Sequence, residues 1–231
     1  MIRAAIIACL AVLLASGGAR ACGWWGEEEG ETPPEQVVVG KPGSIDLETP
    51  EGMAAMARAY RLGLHVPKDP ILARLWAGRA AKAGHVGAMN DYAQMLERGI
   101  GGPADLAEAA AWYAKAAEAG SARAAHSLAN LLFDGRGVAA DAERGEYWLR
   151  MAARAGHASA AKQLAEMILA GVIKAREPGE ACLWWLVALQ AGAEGERARC
   201  IELAPGITPA QIDALAARAA TIVGKTPKPQ G

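Results

Sequence analysis

Few residue groupings in this chain have the types and spacing that chemistry requires. Ser159-Ala160-Ala161-Lys162 sets a hydroxyl one helical turn from an amine, an arrangement in which a lysine can activate a serine nucleophile. The Ser-Asp-Asn and Lys-Thr-Gly segments that complete such a site in penicillin-recognising enzymes are missing. Gly224-Lys225-Thr226 looks like the end of a phosphate loop, but Ala219 stands where the leading glycine must be. His65, His85, His126 and His157 have no cysteine or carboxylate at ligand spacing, so neither a metal nor a cofactor is expected. Trp184-Trp185 could stack on a sugar, but Trp184 belongs to a periodic column described below, and core packing is the expectation for both. The chain is expected not to be an enzyme.

Composition narrows the remaining classes. Of 231 residues, 52% are hydrophobic but only 5% aromatic, with 55 alanines and 27 glycines. Alanine favours helices over strands, which argues against an all-β fold and for helices that approach closely. A formal net charge of −1 gives no basic patch to hold nucleic acid.

Spacing then decides the architecture. Trp76, Trp112, Trp148 and Trp184 stand 36 residues apart, as do Gly84, Gly120, Gly156 and Gly192. Gly63, Gly99, Gly135 and Gly171 keep that interval, and so do Asp69, Asp105, Asp141 and Glu177, and Met56, Tyr92, Leu128 and Leu164. Each unit reads as two helices. In the second, Met89, Tyr92, Met95 and Leu96 mark a first helix over about 87–98, which Gly99 ends. Asp105 is placed to cap a second helix carrying Leu106, Ala109, Trp112, Ala116 and Ala117 on one face. Short connections make neighbours antiparallel, and stacking buries a core that one pair could not supply.

The unit resembles the Sel-one-like repeat, a relative of the tetratricopeptide repeat. The third unit carries Leu128-Ala129, Leu132, Gly135-Arg136-Gly137-Val138, Asp141, Trp148 and Ala152-Ala153 of that pattern. The second carries Ala111-Trp112-Tyr113-Ala114-Lys115-Ala116-Ala117-Glu118-Ala119-Gly120. Leu64-His65-Val66 loses the second glycine, and Val172-Ile173-Lys174 loses the loop signature, so that turn is expected to be reshaped. The expected fold is all-α: a superhelical solenoid of four 36-residue helix-turn-helix repeats, at about 52–85, 86–121, 122–157 and 158–194, with capping helices over 195–223 and a tail at 224–231.

The flanks read differently. Arg3, the apolar run 4–14, the break at Ser16-Gly17-Gly18 and Ala19-Arg20-Ala21 together read as a signal peptide, 1–21. The run is too short to span a bilayer, which takes about 20 apolar residues. Cleavage after Ala21 would leave Cys22 first, so lipidation of Cys22 and ordinary secretion both stay open, the chain being periplasmic, secreted or anchored as a lipoprotein. Residues 22–51 hold eight acidic side chains and one lysine, the composition of a solvated spacer. Thr208-Pro209-Ala210-Gln211 combines an N-cap, a helix-start proline and a capping-box glutamine; Ile212, Leu215, Ala219 and Val223 follow as a closing helix. Cys182 and Cys200 flank Gly192 at ten and eight residues. In an antiparallel helical pair they would meet, and a disulfide is expected after export.

The resemblance implies that residues of each first helix not used in packing line a concave face. By position these are Asn90, Gln94 and Arg98 in the second unit, His126, Asn130, Phe133 and Asp134 in the third, and Lys162 and Glu166 in the fourth. Phe133, the one phenylalanine of the chain, is expected to anchor a ligand there. The function so implied is non-enzymatic: a monomeric adaptor or scaffold holding a protein or peptide segment, without nucleic acid. The alternative is an envelope β-lactam-binding protein or hydrolase using Ser159 and Lys162, since some relatives of this repeat have been linked to β-lactams.

Overall fold

A computed structural model describes residues 46–224, and the signal segment, Cys22, most of the spacer and the tail beyond Gly224 lie outside them. Four helix pairs follow one another: α1 (Pro50–Leu62) with α2 (Pro70–Lys82), α3 (Val86–Arg98) with α4 (Leu106–Glu118), α5 (Ala122–Asp134) with α6 (Ala142–Arg154), and α7 (Ala158–Leu169) with α8 (Glu180–Gln190). A 3-10 turn at Arg197–Arg199, short α9 (Cys200–Leu203) and α10 (Pro209–Gly224) close the array. Each of α1 to α8 packs on its chain neighbours, and α10 lies along α8. The result is a helical solenoid.

Side chains that stop the backbone competing for hydrogen bonds set the helix starts. Thr49, His85, Ser121 and His157, each 36 residues apart, accept an N–H from the first turn of α1, α3, α5 and α7. Asp69, Asp105 and Asp141 do the same for α2, α4 and α6. The array therefore begins at Pro50, two residues before the expected 52, and Asp46–Thr49 form the approach to α1 rather than spacer.

The core is built largely of alanine. Ala80, Ala116, Ala152 and Ala188 are fully buried, with Trp76, Trp112 and Trp184 between them. The second glycine of each loop is required by its neighbour. A Cβ on Gly101 would fall 2.1 Å from the Pro70 carbonyl oxygen, and one on Gly137 would fall 2.4 Å from that of Leu106. Each loop thus sits on the start of the second helix of the preceding unit. The first unit has no predecessor, so His65 can hold that place, with φ of 60°.

The fourth unit departs from the register. Glu177 does not cap α8; it pairs with Arg218 of α10 at 2.7 Å instead. Pro178 and Gly179 intervene, Gly179 takes a left-handed φ of 76°, and α8 starts at Glu180 without a side-chain cap. At the far end Thr208 and Gln211 form the expected capping box, the Thr208 N–H donating to Gln211 Oε1 at 2.8 Å and the Gln211 N–H to Thr208 Oγ1 at 3.3 Å. Leu215 and Ala219 are buried. A disulfide joins Cys182 of α8 to Cys200 of α9, both fully buried.

Candidate functional site

The first helices of successive units carry the columns 90/126/162 and 94/130/166. They meet across the last two units through a residue outside those columns. His126 Nε2 lies 2.7 Å from Gln163 Oε1, and Gln163 Nε2 donates to Asn130 Oδ1 at 2.8 Å. That chain fixes the Nε2–H tautomer of His126, because a carbonyl oxygen can only accept. The His126 ring also lies 4.9 Å from that of His157. Burial first, then His126 and Arg123, hold the His157 imidazole down to about 4, so it stays neutral and its Nδ1 is free to cap α7 at 3.3 Å.

The other expected site residues separate into two groups. Arg98 and Asp134 are exposed at the ends of α3 and α5, and Gln94 is half-buried. Lys162 and Glu166 are partly exposed, the Lys162 ammonium 5.8 Å from the Trp185 ring centre and Glu166 3.7 Å from Arg199. Asn90 is different: it is 4% exposed and its Oδ1 is sealed without a partner. Phe133 is likewise packed, against Gly145 and the main core. Packing therefore claims Asn90 whole and the larger part of Phe133. Gln163 escaped the sequence reading, although its column, Asp91, Ser127 and Gln163, is polar in three successive units.

Ser159 is exposed and makes no hydrogen bond with Lys162, whose ammonium is directed towards Trp185. Trp185 is buried, and its indole N–H donates to the Glu196 carbonyl at 2.9 Å. His85 and His157 are helix caps. Among the described residues no group of three or more His, Cys, Asp or Glu is gathered as a metal site, and no helix is long and apolar enough to cross a membrane.

A second cluster lies on the opposite helices of the last two units. Arg150 of α6 is 3% exposed. Its Nε donates to Glu146 at 2.6 Å and its Nη1 to Glu180 of α8, but its Nη2 is buried without a partner. Glu180 also accepts the Arg176 backbone N–H at 2.5 Å and the Trp184 indole N–H at 3.0 Å. Burial pushes its carboxyl up, but those donors and the Arg150 charge outweigh burial and hold it below the usual range. Arg150, Arg154 and Arg176 form shared walls of two adjoining clefts of roughly 470 and 270 Å³. The sequence did carry a sign of this cluster: Arg150 falls in a column otherwise occupied by Gly78, Ala114 and Leu186.

The Sel1 repeat family model matches residues 50–85, 86–121 and 122–157, leaving out the pair α7 and α8 with its displaced start. No curated protein matches the chain. A solved structure of c5321, a protective antigen present in uropathogenic Escherichia coli strains displaying an SLR fold, superposes with a TM-score of 0.59 at 26% identity. That match covers 74% of this chain and 38% of that one, so the present chain spans well under half of the Escherichia coli protein. A Sel1 repeat protein from Oxalobacter formigenes superposes with a TM-score of 0.61 at 24% identity, covering 74% of this chain and 73% of that one, a likeness of fold. Three of the helix pairs are thus Sel1 repeats, on a helical solenoid like that of the Sel1-repeat structures it superposes on.

Proposed function

We propose that the chain is an exported, non-enzymatic interaction module that holds a peptide or protein segment on the face formed by α3, α5 and α7. Sel1-repeat proteins generally mediate protein–protein interaction, which sets the class. One observation carries the reading to this face. The packing columns repeat from unit to unit, whereas 94/130/166 runs Gln, Asn, Glu and 98/134 runs Arg, Asp, with Arg98 and Asp134 exposed. A scaffold held constant beneath a changing polar surface is what recognition of one partner by a repeat array requires. The polar chain His126–Gln163–Asn130 supplies groups matched to the N–H and C=O of an extended peptide. The buried Cys182–Cys200 bridge supports an oxidising compartment, as does the apolar leader outside the described residues.

The test is affinity capture from envelope extract with the full mature chain and with a variant carrying Gln94→Ala, Arg98→Ala, Lys162→Ala and Glu166→Ala. Helical content and melting temperature of the two baits should agree, because none of the four positions is fully buried. A protein retained by the first bait and lost with the second supports the reading. Equal retention by both contradicts it.

A further inference from the structure

The arginine clefts on α6 and α8 lie on the second helices of their units, apart from the face proposed above. We infer that they form a separate binding site for a peptide segment that carries a side-chain carboxylate between apolar residues. The larger cleft is walled by Arg150, Arg154, Arg176 and Arg218 against Glu177 and Glu180, an excess of two positive charges. Within it the internal pairing is incomplete. Arg154 is exposed and makes no ion pair or hydrogen bond, and the buried Nη2 of Arg150 has no acceptor. A guanidinium left with an open donor beside an unpaired arginine is matched by a planar two-oxygen acceptor, which a carboxylate supplies.

Glu143, Glu146, Glu177 and Glu180 border the two clefts, so a dianion such as a phosphate ester would meet more repulsion than a single carboxylate. The remaining walls choose the rest of the ligand. Trp184, Leu183 and Ile222 line the larger cleft, while Tyr147 and Met151, 55% and 41% exposed, line the smaller. Aromatic, methionine and arginine side chains are the types enriched at protein contacts. Apolar side chains in both clefts beside the guanidinium groups suit a peptide whose acidic side chain has apolar neighbours, rather than a small free anion.

The experiment uses the full mature chain and an array of short peptides with a central glutamate flanked on each side by leucine, isoleucine, valine, phenylalanine or tyrosine. Matching arrays carry glutamine or phosphoserine at the centre. Retention of a glutamate series, weakened about tenfold by the change to glutamine and by Arg154→Ala, is the expected result. Arg154 has no partner to lose, so the variant should keep the melting temperature of the parent. Glutamate peptides that are not retained, or that bind no better than their glutamine counterparts, overturn the inference. Binding unaffected by Arg154→Ala, or phosphoserine peptides that bind at least as well, does so too. The four-residue variant used for the α3, α5 and α7 face leaves this site intact, so the two readings fail separately.

Discussion

The ring of Phe133 in α5 packs directly on Gly145 in α6, where a Cβ would fall 2.9 Å from the ring carbons. The other units place Ala73, Ala109 and Ala181 at that column, opposite Arg61, Glu97 and Leu169. The large side chain and the missing one are a single packing solution. Gly145→Ala should destabilise the chain by about 1–3 kcal/mol through overpacking, although alanine is the better helix former. In a Phe133→Ala background the same change should be neutral or stabilising. Urea unfolding of the four proteins reads the coupling, and additive effects would put Phe133 outside the α5–α6 packing.

Trp112 is nearly buried, and its indole N–H donates to Glu108 Oε1 at 3.1 Å. Trp112→Ala should cost about 3–5 kcal/mol. A change below about 1 kcal/mol would break the 36-residue register on which the helix pairs rest.

Glu180 holds three donors from three places: the Arg150 side chain, the Arg176 backbone and the Trp184 indole. Glu180→Gln should cost about 1.5–3 kcal/mol at neutral pH, because the buried Arg150 charge then keeps only Glu146 as counter-ion. The folded carboxyl is held below its ordinary 4.5. Its stabilisation is therefore complete above that value and is lost as pH falls through the lower folded value. Acid unfolding of wild type and variant should converge, and a constant gap between them would contradict the assignment.

His157 shifts in the same sense, in a higher pH window. Its folded imidazole is lowered from 6.5 to about 4, so the unfolded chain binds a proton that the folded chain does not. Stability should fall as pH drops from about 6.5 to about 4 and then level off for this group. His157→Asn keeps an N-cap acceptor and removes the titration, so it should flatten the slope in that window. Parallel slopes for the two proteins would exclude a titrating His157.

The Cys182–Cys200 bridge closes a loop across a separation of 18 residues, and a loop of that size constrains the unfolded chain by about 3 kcal/mol. Reduction should lower stability by that order and expose amides of α9 and α10 to hydrogen exchange before those of α3 to α6. Uniform loss of protection would mean that the bridge does more than fasten the end of the array.

The units were legible because each column has a local cause. Asp105 caps its own helix, and Trp112 fills the space that alanines leave. What the sequence hid depends on contacts across units. Glu177 shares a column with three capping aspartates, yet Pro178-Gly179 moves the helix start past it and frees it to meet Arg218. Phe133 has no counterpart in its column, and only the position of Gly145 shows that it packs inward. Asn90 stands in a column that faces outward elsewhere, yet its own side chain is 4% exposed. The pairing of Arg150 with Glu180 spans 30 residues, a distance at which only an arginine in an otherwise apolar column gives warning.

Recognition through α3, α5 and α7 requires a partner within reach of that face. A photo-activated benzoylphenylalanine placed in turn at Gln94, Glu166 and Ala107 tests it in the mature chain. Ala107 is the control, exposed on α4, a second helix outside the proposed face. Irradiation in envelope extract should give one discrete adduct from Gln94 and Glu166 and none from Ala107. Adducts from Ala107 alone, or the same products from all three positions, would contradict a partner held on that face.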